Sequence, residues 1–244
     1  MITKNFLPFD PVDLIEKTEE IVCKGDSRKY THFYCTGVYG GISTGYTAGC
    51  CLRCVFCWVD FSREYPEKYG EFYSAEKASE TLIRNARKKN LFKLRISGGE
   101  PTLCRKHLLG ILKLIKNTQY LFILETNGIL FGHDRSYVEE LKDFKNIHVR
   151  VSLKAGNPEG FERRTGAKAE FFELPFKAIK NLMDNKIPFH VASMSDFRLM
   201  ERDEKIFLLE KLKEVKYFDY LEEERCDPYD TSIIRLRAAG IHFK

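Results

Sequence analysis

Hydrophobic and polar residues alternate along this chain with two different periods. Short apolar runs, typical of buried strands, are followed by longer segments in which apolar residues recur at helical spacing. The pattern predicts strands over residues 42–48, 93–97, 121–125, 147–153 and 188–193, with a weaker strand over 217–221. It predicts helices over residues 74–89, 105–116, 135–144, 171–185 and 203–215.

Repeated alternation of strand and helix indicates a parallel sheet with right-handed crossovers. Without its first residues, a chain of 244 is shorter than the ~250 residues typical of a closed eight-unit barrel. We therefore predict an α/β fold, a partial (β/α)6 TIM-like barrel whose parallel sheet is open on one side, with an N-terminal helical extension. In such folds the loops after the strands build the active site.

Three segments follow from this pattern. We expect an N-terminal extension over residues 1–34, the barrel over 35–221 and a C-terminal tail over 222–244. A predicted helix over 13–23 should pack outside the main core. Residues 232–239 in the tail have a helical pattern, and nothing in the chain predicts a second large domain.

Composition is that of an ordinary globular protein, with 43% hydrophobic and 31% charged residues. This excludes the disordered and fibrous classes. The net charge of +5 is too small to indicate a dedicated nucleic-acid binder. We expect a cytoplasmic protein with no membrane partner, because the sequence has no apolar run of roughly 18 residues and no secretory signal at its start.

The cysteines are the most informative residues. Three of the eight, Cys50, Cys54 and Cys57, form a C-x3-C-x2-C pattern directly after the first predicted strand of the barrel. Three thiolates on one loop can hold three irons of a [4Fe–4S] cube and leave the fourth iron without a protein ligand. The alternative is a structural zinc site, for which Cys51 or Cys35 would supply the fourth ligand.

A second motif, Gly-Gly-Glu-Pro at 98–101, ends the next predicted strand. Two glycines allow the backbone to approach a ligand closely, and carbonyls with a carboxylate can accept hydrogen bonds from an ammonium group. Such a tetrapeptide alone would be an ordinary turn. Its position one strand after the cysteine pattern makes it a candidate ligand site.

Together these motifs resemble the radical S-adenosylmethionine (SAM) superfamily, whose signature is C-x3-C-x-Φ-C with an aromatic Φ, here Phe56, followed by Gly-Gly-Glu-Pro. Glu-Thr-Asn-Gly at 125–128 is similar to the family's (D/E)-T-N-G segment, and Ser-Leu-Lys at 152–154 to its S-x-(D/K) segment. The resemblance covers roughly residues 42–195.

The resemblance implies a [4Fe–4S] cluster bound by Cys50, Cys54 and Cys57, with SAM chelating the fourth iron. It implies that the remaining cofactor contacts are Phe56 near the adenine, Gly98, Gly99 and Glu100 at the amino group, Thr126 and Asn127 after the third strand, Ser152 near the ribose and Lys154 at the carboxylate. Reductive cleavage of SAM would yield a 5′-deoxyadenosyl radical that abstracts hydrogen from the substrate. The electron would come from a reductant such as ferredoxin or flavodoxin.

The substrate is the least determined part of this interpretation. Because the segments outside the barrel are short, we expect its lateral opening to be uncovered, which favours a protein, peptide or RNA segment as substrate. A small-molecule enzyme of the deazapurine- or nucleotide-modifying type is one alternative, and a non-catalytic iron–sulfur or zinc protein is another. Arg163 and Arg164 are either partners for a carboxylate or phosphate, or solvated residues of a helix.

The other cysteines are dispersed along the chain. Cys23, Cys35 and Cys226 lack the spacing of an auxiliary cluster, so we expect one cluster in the chain. Cys104 directly follows the Gly-Gly-Glu-Pro motif and is either a radical-relay residue or auxiliary ligand, or an ordinary residue at a helix start. Cys51 is expected to point away from the three ligands.

Overall fold

One sheet organises the fold in a computed structural model, which describes residues 7–227 and 229–242. Its strands are β1 (Cys23–Lys24), β2 (Ser27–Thr36), β3 (Ile42–Thr47), β4 (Glu71–Tyr73), β5 (Lys93–Gly98), β6 (Leu121–Thr126), β7 (Ile147–Leu153), β8 (Phe189–Met194) and β9 (Leu221–Glu224). The helices are α1 (Pro11–Val22), α2 (Ala75–Lys88), α3 (Arg105–Ile115), α4 (Ile129–His133), α5 (Arg135–Glu139), α6 (Pro158–Thr165), α7 (Glu173–Asp184), α8 (Arg202–Glu214) and α9 (Asp230–Ala238).

Six of these strands are parallel neighbours in the order β3-β5-β6-β7-β8-β9. The sheet does not close, since β1 lies at one end of the strand order and β9 at the other. Helices follow the strands and cover the outer face with apolar side chains, as α2 does with Ala78, Leu82 and Ala86. The predicted partial barrel of six parallel strands is confirmed.

The N-terminal extension differs from its prediction. It contains the expected helix, α1, but its strands β1 and β2 continue the sheet, with β2 antiparallel to β3. The ten-residue strand β2 escaped prediction because one of its buried positions is Arg28, only 1% exposed, two residues before the buried Tyr30. A charged residue at a core position hides the period of two that identifies a strand.

Two other elements also depart from the predicted pattern. The helix expected over 135–144 is α5 followed by a 3-10 turn over Glu140–Asp143. The last strand lies over Leu221–Glu224 rather than 217–221. Its run of glutamates is typical of a solvent-exposed segment. Glu222 and Glu224 nevertheless form ion pairs with Arg150 of β7. Among the described residues, no helix is long and apolar enough to span a membrane.

A buried ion pair joins α6 to α8. Arg164 is 1% exposed and donates to both carboxylate oxygens of Glu204, which is itself 6% exposed. Arg164 also donates to the carbonyl of Leu199 at 2.5 Å, and the Glu204 carboxylate accepts from the backbone N–H of Gly156 at 2.7 Å. The pair therefore fixes the loop after β7 against the helix after β8.

Removal of one partner of this pair should be strongly destabilising. We expect Arg164→Met to lower the free energy of unfolding by about 3–5 kcal/mol, because the Glu204 carboxylate would stay buried without its counter-ion. Urea unfolding followed by circular dichroism measures the change. Arg135→Met is the control, since its pair with Glu139 is exposed and should contribute at most about 1 kcal/mol. Equal effects of the two substitutions would contradict this account.

Candidate functional site

A cavity of about 870 Å³ opens where the parallel strands end. Each of the six parallel strands contributes to its wall, through Tyr46, Arg95, Ser97, Gly98, Glu125, Thr126, Arg150, Ser152, Met194, Glu222 and Glu224. The residues expected to bind the cluster and SAM lie on this same wall: Cys50, Cys54, Phe56, Cys57, Gly98, Gly99, Glu100, Thr126, Asn127, Ser152 and Lys154. Residues chosen from four separate sequence motifs therefore meet in one cavity.

Three of the four cysteines in this loop line the cavity, and the fourth does not. Cys50, Cys54 and Cys57 line the cavity, whereas the neighbouring Cys51 is fully buried and does not. A [4Fe–4S] cube needs three thiolates that bind three different irons, and three cysteines of one loop lie on one cavity wall. The donor set fits an iron–sulfur cluster.

Three thiols of this loop, those of Cys50, Cys51 and Cys54, have shifted pKa values. A hydrogen bond from Cys51 lowers the pKa of Cys50, whereas burial raises the pKa of Cys51. Burial also raises the pKa of Cys54, to about 12. The amide nitrogen of Asn127 lies 3.2 Å from the Cys51 sulfur and 3.9 Å from the Cys50 sulfur. Cys51 is thus a buried neighbour of a proposed ligand and touches it, although it does not face the cavity.

The Gly-Gly-Glu-Pro segment packs against the start of the cysteine loop. The backbone N–H of Gly99 donates to the carbonyl of Thr47 at 2.8 Å, and that of Glu100 to the carbonyl of Gly49 at 2.9 Å. A Cβ on Gly99 would lie 1.9 Å from the Gly49 oxygen, so no other residue fits there. Gly98 has φ +91°, a conformation that favours glycine. The backbone conformation at Gly98 and the close backbone contact at Gly99 therefore require glycine at both positions.

The Glu100 carboxylate, in a residue only 3% exposed, accepts four hydrogen bonds. The donors are the Thr102 N–H at 3.1 Å and hydroxyl at 2.7 Å, the Thr126 hydroxyl at 2.7 Å and the Asn127 N–H at 2.9 Å. This side chain therefore ties the loop after β5 to the loop after β6. Sequence analysis assigned Glu100 to the cofactor and did not anticipate this structural role.

Arg28 supports the same segment from the N-terminal extension. Its guanidinium donates to the carbonyls of Leu103 at 2.5 Å, Glu100 at 2.8 Å and Ala48 at 3.3 Å. The Glu19 carboxylate of α1 accepts from the N–H of Cys104 at 2.6 Å. These contacts hold both the end of β3 and the turn after β5, so the extension supports the site instead of packing apart from it.

A disulfide joins Cys23 to Cys104, with their Cα atoms 5.7 Å apart, so neither is a dispersed thiol as the sequence suggested. Spacing could not reveal this pairing because 81 residues separate the two cysteines. Arg164 is committed to its ion pair with Glu204, and Arg163 is exposed. Neither arginine lines the cavity, so the expectation that they reach a ligand there is not supported.

On the cavity wall, ionic side chains from β7 and β9 form a first cluster. Arg150 lies 2.8 Å from Glu222 and 2.8 Å from Glu224. The Ser152 hydroxyl donates to Glu224 at 2.9 Å, and the Lys154 ammonium donates to Ser152 at 2.6 Å. Hydrogen bonding from Arg150 lowers the pKa of Glu222, and the charges of Lys154 and Arg150 outweigh burial to lower the pKa of Glu224.

A second cluster lies beside it on β5 and β6. Arg95 pairs with Glu125 at 3.1 Å, and the Ser97 hydroxyl donates to the same carboxylate at 3.0 Å. The Tyr39 hydroxyl also donates to Glu125, at 2.5 Å, and burial with this contact raises the pKa of Tyr39. Together, Arg95, Glu125, Arg150, Glu222 and Glu224 form what we call the ionic floor of the cavity.

Sequence analysis missed the ionic floor, although a signal for it exists. Polar residues recur two positions apart within predicted buried strands, as in Arg95 and Ser97 of β5 and Arg150 and Ser152 of β7. Residues two apart on a strand share one face. Charged residues on the inner face of a barrel therefore predict a polar cavity in place of an apolar core.

Comparison with known proteins agrees with this geometry. A family model described as Radical SAM superfamily matches residues 45–212. A fold of six parallel strands with three cysteines after the first and Gly-Gly-Glu-Pro after the second is that of a radical SAM enzyme. The chain belongs to the radical SAM superfamily, and membership implies SAM and an iron–sulfur cluster as cofactors.

Among curated relatives, a probable GTP 3′,8-cyclase of Methanococcus maripaludis is 35% identical over 120 residues, which cover 49% of this chain and 38% of the relative. A 7-carboxy-7-deazaguanine synthase of Methanocaldococcus jannaschii is 36% identical over 116 residues, covering 44% of this chain and 45% of that protein. The chain thus aligns with less than half the length of either relative.

Among solved structures, SuiB of Streptococcus suis bound to its precursor peptide SuiA superposes with a TM-score of 0.59. The match covers 75% of this chain and 38% of SuiB at 19% identity. At this identity the likeness shows the fold alone.

The four hydrogen bonds to Glu100 predict a large effect of its removal on stability. We expect Glu100→Ala to lower the free energy of unfolding by about 3 kcal/mol or more, because each stranded buried donor costs about 1–3 kcal/mol. Anaerobic urea unfolding measures it. Thr102→Val, which removes one of the four donors, should cost only about 1 kcal/mol. If Glu100→Ala were no worse than Thr102→Val, the carboxylate would not be the link between the two loops.

Proposed function

We propose that this chain binds a [4Fe–4S] cluster through Cys50, Cys54 and Cys57 and uses SAM to act on a small polar molecule of the nucleotide or deazapurine class. The observation that carries the proposal is that one cavity contains both the three thiols and the ionic floor. When bound, the cluster and SAM would supply the reductive chemistry that yields a 5′-deoxyadenosyl radical able to remove a hydrogen atom from the substrate. A ferredoxin or flavodoxin is the proposed electron donor.

The residues around the thiols have the chemistry to orient SAM. Lys154 supplies a cation for the methionyl carboxylate, and the hydroxyl of Ser152 suits a ribose. Phe56 supplies an apolar surface for the adenine, and the segment of Gly98, Gly99 and Glu100 lets backbone carbonyls approach an ammonium group. Thr126 and Asn127 border the same space. These groups would hold SAM on the cavity wall that the cysteine loop and the ionic floor share.

A small substrate is supported by the polarity of the ionic floor. The cavity of about 870 Å³ must hold the cluster and SAM as well, so the space left for the substrate suits a small molecule. Its wall also carries Tyr34 stacked on Tyr46, with ring centroids 4.4 Å apart, and Trp58 edge-on to Tyr46. Guanidinium groups suit phosphates and carboxylates, and aromatic faces suit a planar base.

The tail weakens the case for a macromolecular substrate. Arg225, Asp227 and Tyr229 line the cavity, and the Thr231 hydroxyl donates to the carbonyl of Trp58 at 2.7 Å. The argument for a peptide or RNA depended on an opening left uncovered, whereas the tail forms part of its wall. The names of the curated relatives, GTP 3′,8-cyclase and 7-carboxy-7-deazaguanine synthase, also favour small heterocyclic substrates.

The cysteine loop allows a matched test of the cluster. Anaerobically reconstituted protein should hold about four irons per chain, with release of 5′-deoxyadenosine from SAM on addition of dithionite. Cys54→Ala should lose both, because one iron loses its thiolate, whereas Cys51→Ala should retain both. Iron analysis and chromatography give the readouts. A single tightly bound zinc per chain and no iron chromophore would refute the proposal.

Ligand binding tests the substrate class. With SAM present, we expect GTP to bind in calorimetric titration, or 7-carboxy-7-deazaguanine to bind as a product. We expect Arg150→Gln to weaken that binding about ten- to a hundredfold, because loss of a charge-assisted hydrogen bond costs about 1.5–3 kcal/mol. Arg105→Gln, whose side chain pairs outside the cavity with Asp134 and Glu140, is the control. Absence of binding by both compounds, with turnover of a peptide or RNA, would reject the small-molecule assignment.

A further inference from the structure

Each cysteine proposed to bind the cluster has its backbone carbonyl bound by a different arginine. Arg53 donates to the carbonyl of Cys50 at 2.6 Å and Arg63 to that of Cys54 at 2.7 Å. The third arginine, Arg235, donates to the carbonyl of Cys57 at 2.6 Å. We call Arg53, Arg63 and Arg235 the arginine collar.

The collar is assembled from separate parts of the chain and is shielded from solvent. Arg53 lies within the cysteine loop and is half-buried, Arg63 follows that loop and is 2% exposed, and Arg235 comes from α9 and is 7% exposed. Arg235 donates further to the carbonyls of Val59 at 2.5 Å and Asp60 at 3.0 Å. The helix of the tail therefore holds the backbone after the third cysteine.

The charge of the collar is only partly compensated by its neighbours. Glu64 pairs with Arg63 and also accepts from Arg235 at 2.8 and 2.9 Å. Arg53 donates instead to the carbonyls of Cys50 and Leu52. Three guanidinium groups and one carboxylate leave a net charge of +2 beside the three thiols.

This excess of positive charge has a defined effect on a redox centre. The net charge around an iron–sulfur cluster and its solvent exposure set the reduction potential. Reduction adds one negative charge, so nearby cations stabilise the reduced state more than the oxidised state. Buried charges are screened far less than exposed ones, which makes the collar effective at short range.

We infer that Arg53, Arg63 and Arg235 are positioning residues that hold the backbone of the three ligand cysteines and raise the reduction potential of the cluster bound there. This inference rests on the proposed [4Fe–4S] site. It assigns to α9 of the C-terminal tail a direct part in supporting the redox centre.

Arg53 offers the clearest test, because its two hydrogen bonds go to backbone carbonyls and no counter-ion is stranded by its removal. We expect Arg53→Gln to retain iron and shift the midpoint potential to a more negative value in an EPR-monitored redox titration. Arg53→Lys keeps the charge and should restore the potential toward that of the unmodified protein. Arg135→Gln, on the exposed surface of α5, removes a distant positive charge and should leave the potential unchanged.

A second variant extends the test to the tail. Arg235→Lys should keep the potential closer to the unmodified value than Arg235→Gln does, at matched iron content. An unchanged potential in Arg53→Gln with full iron would overturn the inference, as would a shift of the same size in Arg135→Gln. Equal loss of iron from Arg53→Gln and Arg53→Lys would also overturn it, because charge would then not be what the arginine supplies. Failure of the unmodified protein to bind any cluster would refute the proposed function instead.

Discussion

The arrangement of the site depends on the hydrogen bonds accepted by the buried carboxylate of Glu100. It receives donors from its own turn and from Thr126 and Asn127 after β6, so it fixes the relative position of two strand ends. The amide of Asn127 in turn reaches the sulfur of Cys51. A continuous series of hydrogen bonds therefore runs from the Gly-Gly-Glu-Pro segment to the cysteine loop, and Arg28 binds the Glu100 carbonyl from the opposite side.

The charged side chains inside the barrel cost free energy, and packing alone does not explain their presence. Charges removed from water are expensive, and an apolar core of the same volume is often at least as stable. The ionic floor nevertheless places Arg95 and Arg150 inside the sheet. Arg95 is paired with Glu125 on the adjacent strand β6, and Arg150 with Glu222 and Glu224 on β9, two strands away. Mutual pairing satisfies these charges and gives the cavity a wall rich in hydrogen-bonding groups. Such a wall fits the polar ligand of the proposed function.

The fold and the site were best predicted where a single hydrophobic period or a single local motif dominates the sequence. Five of the six parallel strands, β3 and β5–β8, follow from apolar runs, and the C-x3-C-x2-C pattern is local, so both could be predicted from neighbouring residues. Strand β2 and the position of β9 could not, because Arg28 and the glutamates 222–224 owe their positions to partners far away in the chain. The Cys23–Cys104 disulfide and the contacts of Arg235 with the cysteine loop are likewise set by tertiary structure, and no short-range pattern encodes them.

The two segments outside the barrel act on opposite sides of the same cavity. The N-terminal extension holds the turn after β5 through Arg28 and Glu19, while the tail holds the cysteine loop through Thr231 and Arg235. These contacts end on backbone carbonyls or N–H groups, so they fix the positions of the loops. The tail also adds the side chains of Arg225, Asp227 and Tyr229 to the cavity wall, whereas the charged groups of the ionic floor lie on β5, β6, β7 and β9. Recognition of the proposed small substrate would therefore combine the ionic floor, which the sheet holds, with side chains supplied by the tail.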